Sequence, residues 1–407
     1  MYLTPLAPLD YVFTGNLPCP VSFAFAYSEQ LDPKHMQESL DRLVSGMPLL
    51  GGRLRAQGAS GYAYDSDRAE VVLEVVDAAI SLGEPSDLNA IRLVQSRDGE
   101  PLMTARLTQT PNGSILGVSM SHALVDGFSF FLTVSKWAAC LRGDAVDHVP
   151  VSRLLQASEA QVASAAADLT PRTLLERTGL FWATRRPDTR RLPAQDRVRL
   201  SAEAVADIAA VAQADVDSKL SRNDVLTAWL WRMYGRRWWA GRGNPTVYMS
   251  CPVDVRRLFG EANASAFGCS IACATAQASF EELMTAPLGT IALKIKRSVA
   301  AVFADGLERR VAPLEALRRR HGLQAMESVH FRHPEYGMLV TNMSRLPLAA
   351  LDFGCGAPID LKLFSGFDSM AAVLPAREGI ALSVYRPAGH AARAPSRPHA
   401  ARELSRS

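Results

Sequence analysis

The chain has 407 residues, of which 48% are hydrophobic and 21% are charged, as in an ordinary globular protein. That length favours two domains. The formal net charge of +3 is too small to indicate nucleic-acid binding, and no apolar run reaches the roughly 20 residues that a membrane span requires. Six scattered cysteines favour reduced thiols over a disulfide framework. We therefore expect a cytoplasmic protein that binds neither nucleic acid nor membranes. We also expect it to be a monomer.

The first part of the chain predicts strands and two amphipathic helices. Asp32 can cap a helix, and Pro33 suits its first turn. The apolar residues of this helix fall on one face, namely Met36, Leu40, Leu43 and Val44. The strand-like runs VVLEVV and LMTARLTQT follow, and a turn at 111–113 leads from the second run into GSILGVSM, which predicts a hairpin. The run FSFFLTVSKWAACL at 128–141 then predicts a helix with most of its aromatic residues inward.

The second part of the chain follows a charged segment, RRPDTRRLPAQDR. It contains prolines and lacks apolar periodicity, which predicts a linker. In the stretch SRNDVLTAWLWR, Ser221 and Asp224 form a capping-box pattern ahead of an apolar helical stripe. The other predicted elements are helices at 287–304 and 307–321 and strands near 246–252, 337–342 and 378–386.

Helices and strands alternate irregularly in both parts, which predicts an α/β protein with two layered domains. We place an N-terminal domain at 1–184, a crossover linker at 185–198 and a C-terminal domain at 199–387. The remaining residues, 388–407, are mainly Ala, Arg, Pro and Ser. Because they show no apolar pattern, we predict that they are disordered.

The strand GSILGVSM runs into the turn SHALVDG. His122 stands where the strand ends, so its imidazole can project between elements and accept a proton from a substrate. Asp126 can fix the turn, either directly or by pairing with a distant arginine, and Gly127 lets the chain bend sharply. The alternative is a core histidine satisfied by a hydrogen bond, with Asp126 as an ordinary N-cap.

Five sequence blocks carry a resemblance to a known family. SHALVDG resembles the His-x-x-x-Asp-Gly motif of the BAHD acyl-CoA-dependent acyltransferases. TNMSRLPLAALDFGCGAP at 341–358 resembles the family's Thr-Asn-Trp-Ser-Arg segment and its Asp-Phe-Gly-Trp-Gly motif. Three further blocks resemble family segments in the family's order, namely MPLLGGRL (47–54), SRNDVLTAWLWR (221–232) and PVDVRRL (252–258).

The resemblance implies two similar chloramphenicol acetyltransferase-like domains, each a mixed β-sheet with flanking helices, with an active-site channel between them. It implies acyl-CoA as co-substrate, no bound cofactor, no metal, and a small-molecule acceptor from specialised metabolism. His122 would be the general base. It would take the proton of the acceptor's hydroxyl or amine during attack on the thioester, and would then give a proton to the departing thiolate.

The resemblance also implies roles for residues around His122. Asp126 and Gly127 would shape the active-site turn. A segment of the C-terminal domain would line the substrate channel and bind the oxyanion through backbone N–H groups and a hydroxyl, namely Thr341, Asn342, Met343 and Ser344. For the hydroxyl of Thr341, a buried strand position is the alternative. Met343 stands where the family usually has a tryptophan, so it could enlarge the pocket.

The Asp-Phe-Gly motif has a structural role in the family, which here falls on Asp352, Gly354 and Gly356. By position, the resemblance pairs the Asp352 carboxylate with Arg256. Cys355 replaces the motif's usual tryptophan, and we expect it to loosen the packing of the motif rather than to affect the chemistry.

The phosphates of CoA call for basic side chains at the channel mouth. Lys294, Lys296 and Arg297 lie on one predicted helix and are candidates; the alternative is a solvated helix face without a ligand.

Two rival functions stay open. One is a carrier-protein-dependent acyltransferase or a condensation domain of a peptide synthetase, although such domains carry two adjacent histidines and Ser121 takes the first place here. The other is a non-catalytic relative that binds a small molecule.

Overall fold

The computed structural model describes residues 3–15, 20–58, 61–67, 69–78, 90–146, 149–152, 154–183, 192–304 and 306–387. The predicted disordered tail at 388–407 lies outside the described residues, as does the first half of the predicted linker.

The described elements are two main β-sheets with helices around them. The strands are β1 (Leu3–Pro5), β2 (Val21–Tyr27), β3 (Arg53–Ala56), β4 (Tyr62–Asp65), β5 (Leu73–Asp77), β6 (Met103–Thr110), β7 (Gly113–Met120), β8 (Phe181–Trp182), β9 (Gln195–Leu200), β10 (Thr246–Asp254), β11 (Ile271–Ser279), β12 (Val329–His330), β13 (Gly337–Asn342), β14 (Asp360–Phe364), β15 (Met370–Pro375) and β16 (Ile380–Tyr385). The α-helices are α1 (Pro33–Gly46), α2 (Gly127–Leu141), α3 (Glu159–Ala167), α4 (Pro171–Thr178), α5 (Ala202–Ala214), α6 (Arg222–Trp239), α7 (Phe280–Thr285), α8 (Leu288–Ala304), α9 (Leu307–His321) and α10 (Leu323–Met326).

The first sheet has the strand order β14-β2-β7-β6-β5. β6 and β7 form the predicted hairpin around the turn at 111–112. β2 and β7 are buried along their whole length, because helices cover this sheet: Phe130 and Phe131 of α2 pack their rings against Phe23 and Phe25 of β2. α2 also packs against α1. The aromatic run after the turn therefore points inward, as predicted.

The second sheet has the strand order β11-β10-β13-β15-β16-β9. β13 runs parallel to β10 and to β15, whereas the other neighbours are antiparallel. Helix α8 packs on β11 and on α6. Each half of the molecule is thus built on a mixed sheet with flanking helices, and the predicted α/β class is confirmed.

The predicted helix starts depend on local capping, and they occur as expected. The Asp32 carboxylate accepts the backbone N–H groups of Lys34 and His35 at the start of α1. Ser221 and Asp224 form a reciprocal capping box at the start of α6. None of the helices in the described part of the chain combines the length and the apolarity that crossing a bilayer requires.

Two strands correct the predicted domain boundaries. β14 comes late in the chain but pairs with β2 in the first sheet, with Leu361 opposite Phe25. The segment 199–387 is therefore not one continuous domain. The predicted linker at 185–198 overlaps β9, which begins at Gln195 and pairs with β16 at the edge of the second sheet. β9 was missed because an edge strand can keep charged residues on its exposed side, which hides the apolar alternation.

Candidate active site

His122 lies in a tight turn between β7 and α2. The Ser121 N–H donates to the Leu102 carbonyl at 2.8 Å, and the N–H groups of Leu124 and Val125 donate to the Ser121 carbonyl at 3.0 and 3.1 Å. The neighbouring side chains in the turn are buried, whereas His122 keeps part of its surface exposed. The turn therefore presents one imidazole from an otherwise closed surface.

The environment of His122 favours its neutral form. Burial lowers the pKa of the imidazole below its usual value, and the backbone groups of His122 and Val125 and the charge of Asp126 only partly oppose the shift. The Nδ1 atom is buried and has no hydrogen bond within the usual limits of distance and angle. Nε2 is then the nitrogen that can meet a substrate, and a neutral ring can accept a proton there.

The ring of Phe13 lies flat against this imidazole. The two ring centroids are 3.9 Å apart, with an interplanar angle of 2°. On the C-terminal side of the molecule, Phe331 stacks on Phe13 at 5.1 Å and 22°. The sequence did not reveal either contact, because a short apolar segment near the start of the chain gives no signal of where it will fold.

Asp126 is buried and reaches across to the C-terminal half. It caps α2 by accepting the Ser129 N–H at 2.9 Å, and it accepts the Ser270 N–H at 2.9 Å. The Arg256 guanidinium lies 2.8 Å from its carboxylate, and both side chains are almost fully buried. Burial lowers the pKa of Arg256, but Asp126 and Asp254 raise it, and the net shift is upward. Both possibilities for Asp126 are therefore observed: its carboxylate caps the start of α2 directly, and it also pairs with a distant arginine, Arg256.

Gly127 brings the turn against the Thr-Asn-Met-Ser segment. A Cβ atom at Gly127 would lie 3.2 Å from the Met343 Sδ atom, closer than an ordinary contact. The φ angle of Gly127 is outside the left-handed region, so no left-handed backbone conformation requires glycine at this position. Glycine is suited to this position because the Met343 side chain lies so close, and the two halves of the molecule meet here.

The segment 341–344 extends β13 toward this contact. The Met343 N–H donates to the Val373 carbonyl, and the Ser344 N–H donates to the Asn342 side-chain oxygen. These two donors are therefore already engaged, which corrects the expectation that the whole segment offers its N–H groups to an oxyanion. The Asn342 side-chain nitrogen also donates to Asn223 on α6. The Thr341 hydroxyl stays a predicted oxyanion donor.

The predicted pair of Asp352 and Arg256 is wrong. The Asp352 carboxylate accepts the N–H groups of Gly354 and Gly356, each at 2.8 Å. Both glycines have positive φ angles, 94° and 85°, a backbone conformation that favours glycine. The carboxylate therefore closes its own loop, while Arg256 is occupied by Asp126. The loop is attached to the N-terminal half through Arg142, whose side chain donates to the Asp352 carbonyl at 2.7 Å.

Two of the three candidate CoA contacts have protein partners. Lys294 forms an ion pair with Glu282 at 2.9 Å, and the Lys296 ammonium donates to the Ser218 hydroxyl at 2.9 Å. Arg297 lies exposed on α8 beside them. Among the residues that the structure describes, no three His, Cys, Asp or Glu side chains lie close enough to hold a metal ion.

Known structures share this architecture. TRI101 of F. sporotrichioides, complexed with coenzyme A and T-2, has a TM-score of 0.73 and 17% identity over 94% of this chain and 95% of that one. Vinorine synthase has a TM-score of 0.67 and 18% identity over 95% of this chain and 91% of that one. The first condensation domain of the CDA synthetase has a TM-score of 0.60 and 16% identity over 94% and 90%. At such identities the likeness establishes the fold.

The chain therefore shares the two-sheet fold of these structures. A family model described as "Transferase family" matches residues 5–387. The chain belongs to this family, the BAHD acyl-CoA-dependent acyltransferases, and the predicted family and enzyme class are confirmed. No curated protein sequence matches the chain significantly.

Proposed function

We propose that the protein transfers an acyl group from acyl-CoA to a hydroxyl or amine of a small specialised metabolite, with His122 as general base. The observation that carries this proposal is the state of His122: its pKa is lowered by burial, its Nδ1 is enclosed, and part of its surface stays open at the junction of the two halves. TRI101 has been crystallised with CoA and either T-2 or deoxynivalenol, which supports a small-molecule acceptor. We propose that the enzyme works as a cytoplasmic monomer without a bound cofactor.

In this mechanism the acceptor's O–H or N–H donates to Nε2 of His122. The acceptor atom forms a bond to the thioester carbonyl carbon as its proton passes to the imidazole. The tetrahedral intermediate then collapses with loss of the C–S bond, and the imidazolium gives its proton to the sulfur, so that free CoA leaves. Because both substrates meet in one channel, no acyl-enzyme is needed.

The tetrahedral oxyanion needs donors that are in place before the reaction. We propose the Thr341 hydroxyl, because Thr341 lies near the end of β13, two residues before Met343, whose side chain meets Gly127. One such donor is typically worth about 2.7–4 kcal/mol of transition-state stabilisation. Asp126 and Gly127 would act by fixing the turn that carries the base.

The test is the release of free thiol from a panel of acyl-CoAs in the presence of pooled alcohols and amines. His122→Ala should lose about 10²–10⁴-fold in turnover, the usual contribution of a general base. The matched control is His35→Ala, which removes an exposed histidine on α1 and should keep full activity. A loss of only a few-fold in His122→Ala would contradict the catalytic role.

The same assay across pH reads the protonation of the base. The pKa of His122 is lowered from the ordinary 6.5, and the neutral ring is the active form. Activity should therefore hold as the pH falls to 6.5 and should decline only as it passes through the lower pKa of the folded enzyme. An acid limb centred well above 6.5 would contradict this assignment.

A further inference from the structure

The imidazole of His122 interacts with the backbone groups of His122 and Val125, but no well-formed hydrogen bond orients it. A hydrogen bond from the second ring nitrogen to a carboxylate or carbonyl usually sets the ring orientation. Here Nδ1 has no hydrogen bond within the usual limits. The nearest carboxylate in the sequence, Asp126, is bound by Arg256, Ser129 and Ser270. Something other than a carboxylate must therefore hold the ring.

Phe13 is placed to do this. Its ring is parallel to the imidazole within 2° at a centroid distance of 3.9 Å, so it contacts a whole face of His122. Phe13 is 2% exposed, so it contacts the base but leaves almost no surface open to a bound substrate. Phe331 backs its ring at 5.1 Å, and rotation of the imidazole toward Phe13 would meet a filled space.

The segment that carries Phe13 is tied to the histidine turn itself. It is a buried 3-10 turn, Asp10–Phe13. The Tyr64 hydroxyl lies 2.6 Å from the carbonyl of Ala123, the residue after His122, and 3.1 Å from the Asp10 carboxylate. The Asp10 carboxylate also accepts the Ala7 N–H at 2.8 Å. Tyr64 therefore connects the segment that carries Phe13 to the backbone of the histidine turn.

A second tie lies on the other side of the same segment. The Gly15 N–H donates to the Ser96 carbonyl at 2.8 Å, and the Ser96 and Ser121 hydroxyls are hydrogen-bonded at 2.8 Å. Ser121 directly precedes His122. The segment that carries Phe13 is thus tied to the histidine turn at two points, and the Phe13 ring itself lies between the rings of His122 and Phe331.

We propose that Phe13 is the positioning residue of the general base: its ring holds the plane of the His122 imidazole so that Nε2 stays directed at the acceptor. This inference rests on the proposed function and deepens it. Phe13 touches neither substrate nor the transferred proton and acts only through His122. Orientation of this kind governs how often the reactive geometry is reached, and misplacement of a catalytic group by about 1 Å can cost about 10²-fold in rate.

The test is Phe13→Leu, which keeps an apolar side chain but removes the flat ring. We expect kcat to fall about 10–100-fold, while the KM values for acyl-CoA and acceptor stay within about twofold, because only the transition state requires the oriented base. Phe13→Tyr, which retains the ring, should restore most of the activity. A kcat within about twofold of the parent in Phe13→Leu, or a rise in KM with unchanged kcat, would overturn the proposal.

The matched control is Phe23→Leu, a buried phenylalanine of the first sheet whose ring contacts are with other phenylalanines. It should lower the melting temperature about as much as Phe13→Leu does, yet keep kcat. An equal loss of kcat in both variants would reduce Phe13 to a stability role and overturn the proposal. If His122→Ala keeps its activity, the proposed function fails; if His122→Ala is inactive while Phe13→Leu is fully active, only this inference fails.

A measurement on the parent protein covers the case in which Phe13→Leu does not fold. In the NMR spectrum of the full chain with labelled histidine, the ring protons of His122 should be shifted upfield by the ring current of the stacked Phe13. The signals are assigned by their loss in His122→Ala. Ring protons at ordinary histidine positions would show that the stack does not persist in solution and would overturn the proposal.

Discussion

Asp126 and Asp352 both lie shortly before a glycine in motifs that resemble family motifs, but they have opposite environments. Asp126 is buried, and its ion pair with Arg256 joins the two halves of the molecule beside the base. Asp352 is partly exposed and accepts only N–H groups of its own loop, those of Gly354 and Gly356, among the contacts described for its carboxylate. One carboxylate connects distant parts of the chain, and the other shapes a turn of five residues.

This difference explains how the histidine turn is held in place. A buried charge is tolerable when it is paired and hydrogen-bonded, and Asp126 meets both conditions through Arg256, Ser129 and Ser270. The carboxylate is then unavailable to His122. No carboxylate orients the imidazole, and the ring of Phe13 covers one of its faces. The turn is fixed by charge, whereas the ring is fixed by stacking.

The largest effect that we expect is the loss of folding stability when the buried carboxylate of Asp126 is removed. Asp126→Ala leaves Arg256 buried with one partner fewer, and breaking a buried ion pair in this way typically costs about 3–5 kcal/mol. We expect a loss of this size in the free energy of unfolding, measured by urea denaturation. Because the turn then loosens, acyl transfer should fall as well.

Asp254→Ala is the matched control, because Asp254 lies 3.1 Å from the same guanidinium but is half exposed. It should cost much less than Asp126→Ala. In the double variant Asp126→Ala with Arg256→Ala, the loss should be smaller than the sum of the two single losses, since both remove one interaction. Equal losses for the two aspartates would show that burial does not set the strength of the pair.

The sequence was sufficient for features that depend on local chemistry. The capped starts of α1 and α6 follow from Asp32 and Ser221, whose side chains bond to N–H groups two or three residues away. The hairpin of β6 and β7 follows from a turn that joins two apolar runs. The histidine turn was found through its motif, which is also a local pattern.

Contacts between distant segments could not be predicted in the same way. The partner of Arg256 could be predicted only from the family resemblance, which indicated Asp352. The structure pairs Arg256 with Asp126 instead. β14 joins the first sheet from far along the chain, and no local periodicity reports which sheet a strand will enter. The stack of Phe13 on His122 is of the same kind, because it depends on the path of the whole N-terminal half.

Asp352 provides the middle-sized test. Asp352→Ala removes an acceptor of two backbone N–H groups in a partly exposed loop, so we expect a loss of about 1–2 kcal/mol in the free energy of unfolding. Asp352→Asn keeps an acceptor oxygen and should lose less. Combined with Arg256→Ala, the losses should add within about 0.5 kcal/mol, as for independent sites. A strong deviation from additivity would show that Asp352 and Arg256 interact, against the structure.

The smallest expected effect concerns Arg297. Unlike either aspartate, this charged side chain lies exposed on α8, next to two lysines that have protein partners. If it meets the phosphates of CoA, Arg297→Ala should raise the KM for acyl-CoA by up to about fivefold, since exposed ion pairs are worth about 0.2–1 kcal/mol. The effect should shrink as salt screens the charges. Lys296→Ala is the control, because its ammonium is bound to Ser218 and its loss should leave this KM nearly unchanged.

The same acyl group on a short pantetheine thiol lacks the nucleotide, so its KM should not respond to Arg297→Ala at any salt concentration. If the parent enzyme uses both donors equally well at every salt concentration, it does not recognise the nucleotide, and a carrier protein becomes the better candidate for the acyl donor.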